Sequence, residues 1–305
     1  MVRPARPDRQ ARRRARLAWL LVLPLLGALA LVALWPLART AWFSVTDATL
    51  LDLGAAAYVG LDNYGFLLAD PGWWRSVVNT LLFTAASVTL EICLGFAIAL
   101  ALDAQFPGRG ALRAAVLIPW AIPTVVSAKM WAWMFHDVYG VLNEMLLGIG
   151  LVDAPVAWTA SPDLAMAALV AVDVWKTTPF VALLLLAGLQ MLPRDCYEAA
   201  RVDGASAWTM FFRITLPLMK PALAVAAIFR ILDAMRIFDL VYVLTGTTPQ
   251  TITMAVYARQ QMIDFQDFGL GSAAATLLFL VIAMVTVIYM MAVRFRPAGR
   301  SALAG

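Results

Sequence analysis

The sequence predicts an all-α integral membrane protein of six transmembrane helices with a cytoplasmic helix-Gly-helix loop, and three observations carry that prediction. Of 305 residues, 63% are hydrophobic and 14% charged, whereas soluble domains average about half apolar and about a quarter charged. The mean hydropathy of +0.81 agrees: one soluble core cannot bury so much apolar surface. Five long apolar stretches and a less uniform sixth fall near 17–38, 77–102, 112–135, 164–190, 222–244 and 271–293, each close to or above the roughly 20 residues that cross a bilayer core. Finally, Lys and Arg sort by side. With the N-terminus inside, the inner segments hold Arg3, Arg6, Arg9, Arg12, Arg13, Arg14, Arg16, Arg109, Arg113, Arg194, Arg201, Arg213, Lys220, Arg294, Arg296 and Arg300, against Arg75 and Arg259 outside. Such a bias places both termini in the cytoplasm.

Residues 1–16 read as a basic cytoplasmic N-terminus lying near anionic lipid rather than as a nucleic-acid arm. The following apolar run exceeds the roughly 7–15 residues of a secretory signal core and lacks a clean small-residue cleavage site, so it is read as a retained first helix. The first outer loop, about 39–76, carries Asp47, Asp52, Asp62 and Asp70 with turn-forming Gly54, Gly60, Pro71 and Gly72, and ends on Trp73 and Trp74. Paired tryptophans mark a membrane interface. A short inner turn, 105–110, joins spans two and three, and Pro123, Ser127 and Lys129 suggest an irregular third helix. The second outer loop, about 136–163, is acidic and predicts a short surface helix around Leu142–Leu147.

The long inner segment from Pro193 to Met219 is helical in composition but too polar to cross the membrane. Gly204 breaks it, Ser206 can cap a second helix through a backbone N–H, and Pro217 is expected to stop that helix. Trp208, Phe211 and Phe212 would form its apolar side, as a docking element or a surface helix pair requires. Residues 294–305 form a cytoplasmic tail.

Several chemistries are excluded. Cys93 in a span and Cys196 in an inner loop cannot meet in an oxidising compartment, so no disulfide is expected. A lone His136 gives no metal cluster. The chain has no Gly-x-x-x-x-Gly-Lys phosphate loop, so it does not bind ATP by that device.

Ionisable residues within spans are costly and mark a polar path or mutual pairing. Span four has Asp173 and Lys176; span five has Arg230, Asp233, Arg236 and Asp239. Successive charges three apart are helix neighbours, but the stripe drifts by about 60° per step, so on one ideal helix Arg230 and Asp239 cannot face one ligand. Two readings stay open: a path lined by these groups, or structural neutralisation of Asp173 by Lys176 and Asp233 by Arg236. Glu91 in span two has no evident partner.

The run Glu198-Ala199-Ala200-Arg201-Val202-Asp203-Gly204, followed after nine residues by Ile214-Thr215-Leu216-Pro217, resembles the loop of permease subunits in binding-protein-dependent ABC importers. Gly60-Leu-Asp-Asn-Tyr64, Val174-Trp-Lys-Thr-Thr-Pro-Phe180 and Phe238-Asp-Leu-Val-Tyr-Val-Leu-Thr-Gly246 resemble the carbohydrate branch of the maltose/trehalose type. Gly246-Thr-Thr-Pro249 departs from the usual Gly-Gly-Pro, and the first outer loop carries no large extra domain.

The resemblance implies that 17–293 form the permease domain and 193–219 its coupling loop. Glu198, Ala199, Ala200, Asp203, Gly204, Ile214, Leu216 and Pro217 would engage an ATP-binding subunit, with Glu198 meeting a basic partner residue. It implies a substrate path through Asp173, Thr177, Arg230 and Asp233, with Lys176 and Arg236 as further candidates and Trp175 or Phe229 covering a sugar ring. No catalytic or metal-ligating residue is expected, and ATP and Mg would be bound by a partner.

The implied assembly is a bacterial inner-membrane importer containing a second permease, two ATP-binding subunits, an extracytoplasmic solute-binding protein and membrane lipid, with no nucleic acid. Its implied cargo is an α-glucoside such as trehalose or maltose. A glycerol phosphate or polyol cargo is an alternative, because Arg230 and Arg236 could accept an anion. A proton-coupled secondary transporter would require an inverted repeat, which the sequence does not display.

Overall fold

The first transmembrane helix lies off the bundle over most of its length and meets it only at its C-terminal end. In the computed structural model, which describes residues 9–104 and 106–293, α1 (Arg9–Leu29), a π turn at Ala30–Leu34 and α2 (Trp35–Phe43) form one rod. The apolar window of Arg16–Phe43 is entirely unburied, so lipid or another chain must cover it. The charges at Arg3, Arg6, Arg294, Arg296 and Arg300 and the segment 294–305 lie outside the described residues. Among the described residues five helices are long and apolar enough to cross a membrane, or six spans where the sharply bent pair counts as one.

After the outer helix α3 (Asp62–Ala69), α4 (Pro71–Asp103) begins where Asp70 caps it, accepting from Gly72 N at 2.9 Å and Trp73 N at 3.2 Å. The Tyr257 hydroxyl donates to the same carboxylate at 2.6 Å. Burial of Asp70 pushes its pKa upward, but hydrogen bonds from Tyr257, Gly72 and Trp73 together hold it below the ordinary carboxylate value. Desolvation, then the bond to Asp70, raises the Tyr257 hydroxyl. Asn79 Nδ2 donates to the carbonyls of Pro249 and Ile252, and Met254 N donates to Thr80 Oγ1. The outer end of α4 is thereby fastened to the chain returning after span five.

Helix α4 buries Ser76, Thr80, Thr84, Ser87, Glu91, Gly95 and Ala99 along one face, a spacing of three or four that matches the helical period. That face packs along α8 (Ala165–Gln190). Gly95 permits the approach: a Cβ there would lie 2.7 Å from Val181 Cγ1 and 3.2 Å from Ala182 N. Gly95→Val is expected to cost at least the roughly 1–3 kcal/mol of an overpacked core, read as a lower melting temperature of the detergent-solubilised protein.

Span three is not straight. Helices α5 (Arg109–Ala121) and α6 (Thr124–Met134) meet at 88°. Ile122 precedes Pro123 and is extended at φ −74°, ψ 132°, the conformation that a following proline enforces. Beyond it, α7 (Val141–Gly148) lies in the second outer loop. Asn143 organises that loop, donating to the carbonyls of Asp137 and Val156 and accepting from Trp158 Nε1.

Helix α9 (Arg194–Val202) ends at Gly204, whose φ of +74° favours glycine. Ser206 caps α10 (Ala207–Met210), accepting from Thr209 N at 3.2 Å. Pro217 does not stop the helix as expected. A π turn at Phe211–Thr215 joins α10 to α11 (Leu216–Ala234) in one helix running from Ala207 to Ala234, and Pro217 lies just past that turn, where the i→i−4 ladder is already interrupted.

The expected continuous fifth span is also corrected, because α11 ends at Ala234. Residues 235–238 break the helix before α12 (Asp239–Leu244), so an ideal-helix drift applies to Arg230 and Asp233 but not to Arg236 and Asp239. The outer segment then forms α13 (Met254–Arg259) and a π turn at Gln260–Asp264 before α14 (Phe268–Val293), the last span. Phe268 meets Phe43 edge-on at 5.2 Å, joining α14 to α2.

Candidate functional site

Irregular backbone inside a membrane is tolerated where it lines a cavity or is buried in protein, and both helix breaks open onto one cavity here. About 360 Å³ in volume, it is lined by Trp120 and Thr124 at the α5–α6 bend, by Asp173, Lys176 and Thr177 on α8, and by Arg230, Asp233 and residues 234 and 236–240 around the α11–α12 break.

Arg230, 2% exposed, is its centre. Its Nε donates to Glu91 Oε2 at 2.5 Å and its Nη2 to Glu91 Oε1 at 2.9 Å. Nη2 also reaches Asp173 Oδ2 at 3.1 Å, and Nη1 reaches Asp233 Oδ2 at 2.6 Å. These bonds use four of the guanidinium's five N–H donors. Thr177 joins the network, donating to Glu91 Oε1 and lying 2.6 Å from the Asp173 carbonyl oxygen.

The six candidate path residues are therefore brought together, in unequal positions. Asp173 and Thr177 are buried, while Asp233 and Arg236 are exposed at the mouth, 3.6 Å apart. The expected pairing of Asp173 with Lys176 is not formed: Asp173 bonds Arg230, and among the described residues no carboxylate lies within salt-bridge range of Lys176. The expected aromatic cover also differs. Trp175 packs edge-on against Trp131 and Phe229 lies outside the cavity lining, whereas Trp120 and Phe238 line it. Stacking on Phe180 holds Trp120, and stacking on Tyr242 holds Phe238.

Sequence reasoning missed Glu91 as Arg230's counter-ion. The signal was its place in the buried face of α4, Ser87-x-x-x-Glu91-x-x-x-Gly95, but pairing across 139 residues has no local signature. Trp120 and Phe238 became lining residues only through the helix breaks.

At the α9 end of the bundle, a cleft of about 860 Å³ is lined by Asp103, Arg109, Arg113, Arg194, Tyr197, Glu198 and Arg201, among others. Glu198, Ala199, Asp203, Gly204 and Pro217 are exposed or nearly so, while Ala200, Ile214 and Leu216 are less open. Tyr197 Oη and Thr215 Oγ1, 3.0 Å apart, tie α9 to the segment entering span five. Trp208, Phe211 and Phe212 form one aromatic cluster, as expected, with Phe212 edge-on to Phe211 at 4.9 Å. Phe211 turns inward against Phe96 at 5.7 Å, and Trp208 stacks outward on Phe212 at 5.9 Å, both exposed.

A multi-span helical protein with a polar cavity at two broken spans and an exposed helix-Gly-helix on its inner loop has the organisation of a transport permease. The chain belongs to the family of inner membrane components of binding-protein-dependent transport systems, which it matches over residues 91–298. It is 44% identical over 286 residues to the trehalose/maltose transport system permease protein MalF of Thermococcus litoralis, covering 93% of this chain and 96% of the relative. The sulfoquinovosyl glycerol transport system permease protein SmoG of Agrobacterium fabrum is 39% identical, over 91% and 90% of the two chains. The trehalose transport system permease protein SugA of Mycobacterium tuberculosis is 40% identical, over 90% and 87%. A crystal structure of a bacterial ABC transporter importing the acidic polysaccharide alginate superposes with a TM-score of 0.79 at 22% identity, over 92% of this chain and 96% of that one, a likeness of fold. The chain is thus a multi-pass inner-membrane protein whose relatives are permease components rather than enzymes.

Proposed function

We propose that this chain is one of two permease subunits of an ABC importer for a neutral α-glucoside disaccharide, with trehalose and maltose favoured. The observation carrying this reading is the cavity, where Asp173, Thr177 and Asp233 offer hydrogen-bonding groups to sugar hydroxyls and Trp120 and Phe238 offer apolar ring faces. Transport is non-covalent alternating access.

The same reading assigns ATP and Mg binding to two partner subunits, delivery of sugar to an extracytoplasmic binding protein, and completion of the path to a second homologous permease. Residues 17–293 form the permease domain, 193–219 the coupling loop, and both termini face the cytoplasm, in keeping with the distribution of Lys and Arg. Glu198 and the outward Trp208–Phe212 pair dock in the ATP-binding subunit, and closure of that partner moves α9 and, through Tyr197 and Thr215, span five.

An anionic cargo such as glycerol phosphate would draw on Arg230 and Arg236, yet Arg230 is bonded to three carboxylates and Arg236 lies 3.6 Å from Asp233. An anion would have to displace one of these carboxylates. The test is ATP-dependent uptake by the complete importer in proteoliposomes with its binding protein, offered trehalose, maltose, glycerol and glycerol phosphate. Uptake of the disaccharides alone supports the assignment; uptake of glycerol phosphate alone overturns it.

A further inference from the structure

We infer that Glu91, which lines no part of the cavity, sets the path's selectivity for ligand charge by neutralising Arg230 from behind. This deepens the proposed function and rests on its assignment of the cavity as the path.

Glu91 is fully buried between α4 and α8, and both its oxygens bond the guanidinium. Its third bond comes from Thr177, a lining residue. With Glu91 holding Nε and sharing Nη2 with Asp173, the positive charge that Arg230 brings to the lining is offset by a carboxylate outside the cavity. Within the cluster Glu91, Asp173, Asp233 and Asp239 stand against Lys176, Arg230 and Arg236, four carboxylates to three cations, with Arg236 3.6 Å from Asp233. The path therefore has a negative potential that repels anionic sugars and leaves carboxylate oxygens free to accept from hydroxyls. Replacing Glu91 by an uncharged residue would make Arg230's unit charge felt in the cavity without altering any lining residue. A buried carboxylate placed only to fasten helices would not change which ligand charge the cavity favours.

The test reads potential directly and requires no knowledge of the cargo. In the assembled importer with Cys93→Ser and Cys196→Ser, Thr124→Cys places one thiol in the cavity lining. Its reaction rates are compared for two methanethiosulfonates of similar size, trimethylammonium-ethyl and sulfonatoethyl, each normalised to a free thiol. The cationic reagent is expected to be favoured, and Glu91→Gln to move the ratio about ten-fold or more toward the anionic reagent, as one charge in a partly desolvated site does.

The double variant Glu91→Gln/Arg230→Gln removes one charge of each sign, so its assembled fraction keeps the net charge of the cluster and is expected to keep the parental ratio. The inference is overturned if Glu91→Gln labels normally with an unchanged ratio. It is overturned equally if the double variant shifts toward the cationic reagent, since Arg230's charge would then have reached the cavity despite Glu91. Failure of both reagents to label the thiol of the Thr124→Cys variant in any nucleotide state would instead remove the aqueous path, and the proposed function with it.

Discussion

Arg230→Ala is expected to abolish stable assembly of the permease, because it leaves Glu91 and Asp173, both buried, with no counter-ion. Removing one partner of a buried ion pair costs about 3–5 kcal/mol, and here one cation serves two buried carboxylates and the exposed Asp233. The protein should still insert, since its spans depend on apolar length rather than on this network. What should fail is the packing of α4, α8 and α11, seen as loss of the monodisperse peak in detergent gel filtration and as rapid proteolysis. The double variant Glu91→Gln/Arg230→Gln should recover part of the loss, since it leaves one buried carboxylate, Asp173, without a counter-ion instead of two. Wild-type yield and melting temperature for Arg230→Ala would show that the ion network does not hold the bundle.

Glu198→Ala and Gly204→Pro are expected to have the second large effect, at the opposite end of the molecule. Glu198 is exposed in the isolated chain and contributes little to its stability there. Desolvated against a basic group in a subunit groove, loss of such a carboxylate costs about 2 kcal/mol or more, or roughly thirty-fold in affinity for the ATP-binding subunit. Proline at position 204 cannot adopt φ +74°, so the angle between α9 and α10 must change. Co-purification of the ATP-binding subunit and uptake by the complex should both fall, with membrane insertion unaffected. Normal co-purification and uptake in both variants would end the docking assignment.

The fold class was legible because it follows from quantities that local sequence states directly: apolar length, and the Gly204 and Ser206 that separate α9 from α10. Where expectation failed at Pro217, the cause was proline in context. Pro217 sits just after a π turn in a helix that runs on from Ala207 and is accommodated, while Pro123, where an irregular helix was expected, bends span three through 88°; composition does not distinguish the two. The break after Ala234 likewise has no proline to announce it, so the charges of span five were placed on one continuous helix. The path candidates were visible as costly charges in apolar spans, whereas their partners were not. Arg230 pairs with Glu91 and Asp173 across 139 and 57 residues, and only packing of three helices makes those distances short.

The central claim, that the cavity at the α11–α12 break carries the substrate, is tested most directly at Asp233. Its side chain is 56% exposed at the cavity mouth, so it can be changed without stranding a buried group. Asp233→Asn keeps shape and hydrogen-bonding capacity while removing the charge, and the measurement is uptake kinetics of the assembled importer with whichever of trehalose and maltose the parent transports. Normal yield and melting temperature with an apparent affinity about ten-fold weaker is predicted, the loss of one charge-assisted hydrogen bond. An assembled variant with parental affinity and parental sugar preference would contradict the claim and leave Asp233 as a structural partner of Arg230 and Arg236.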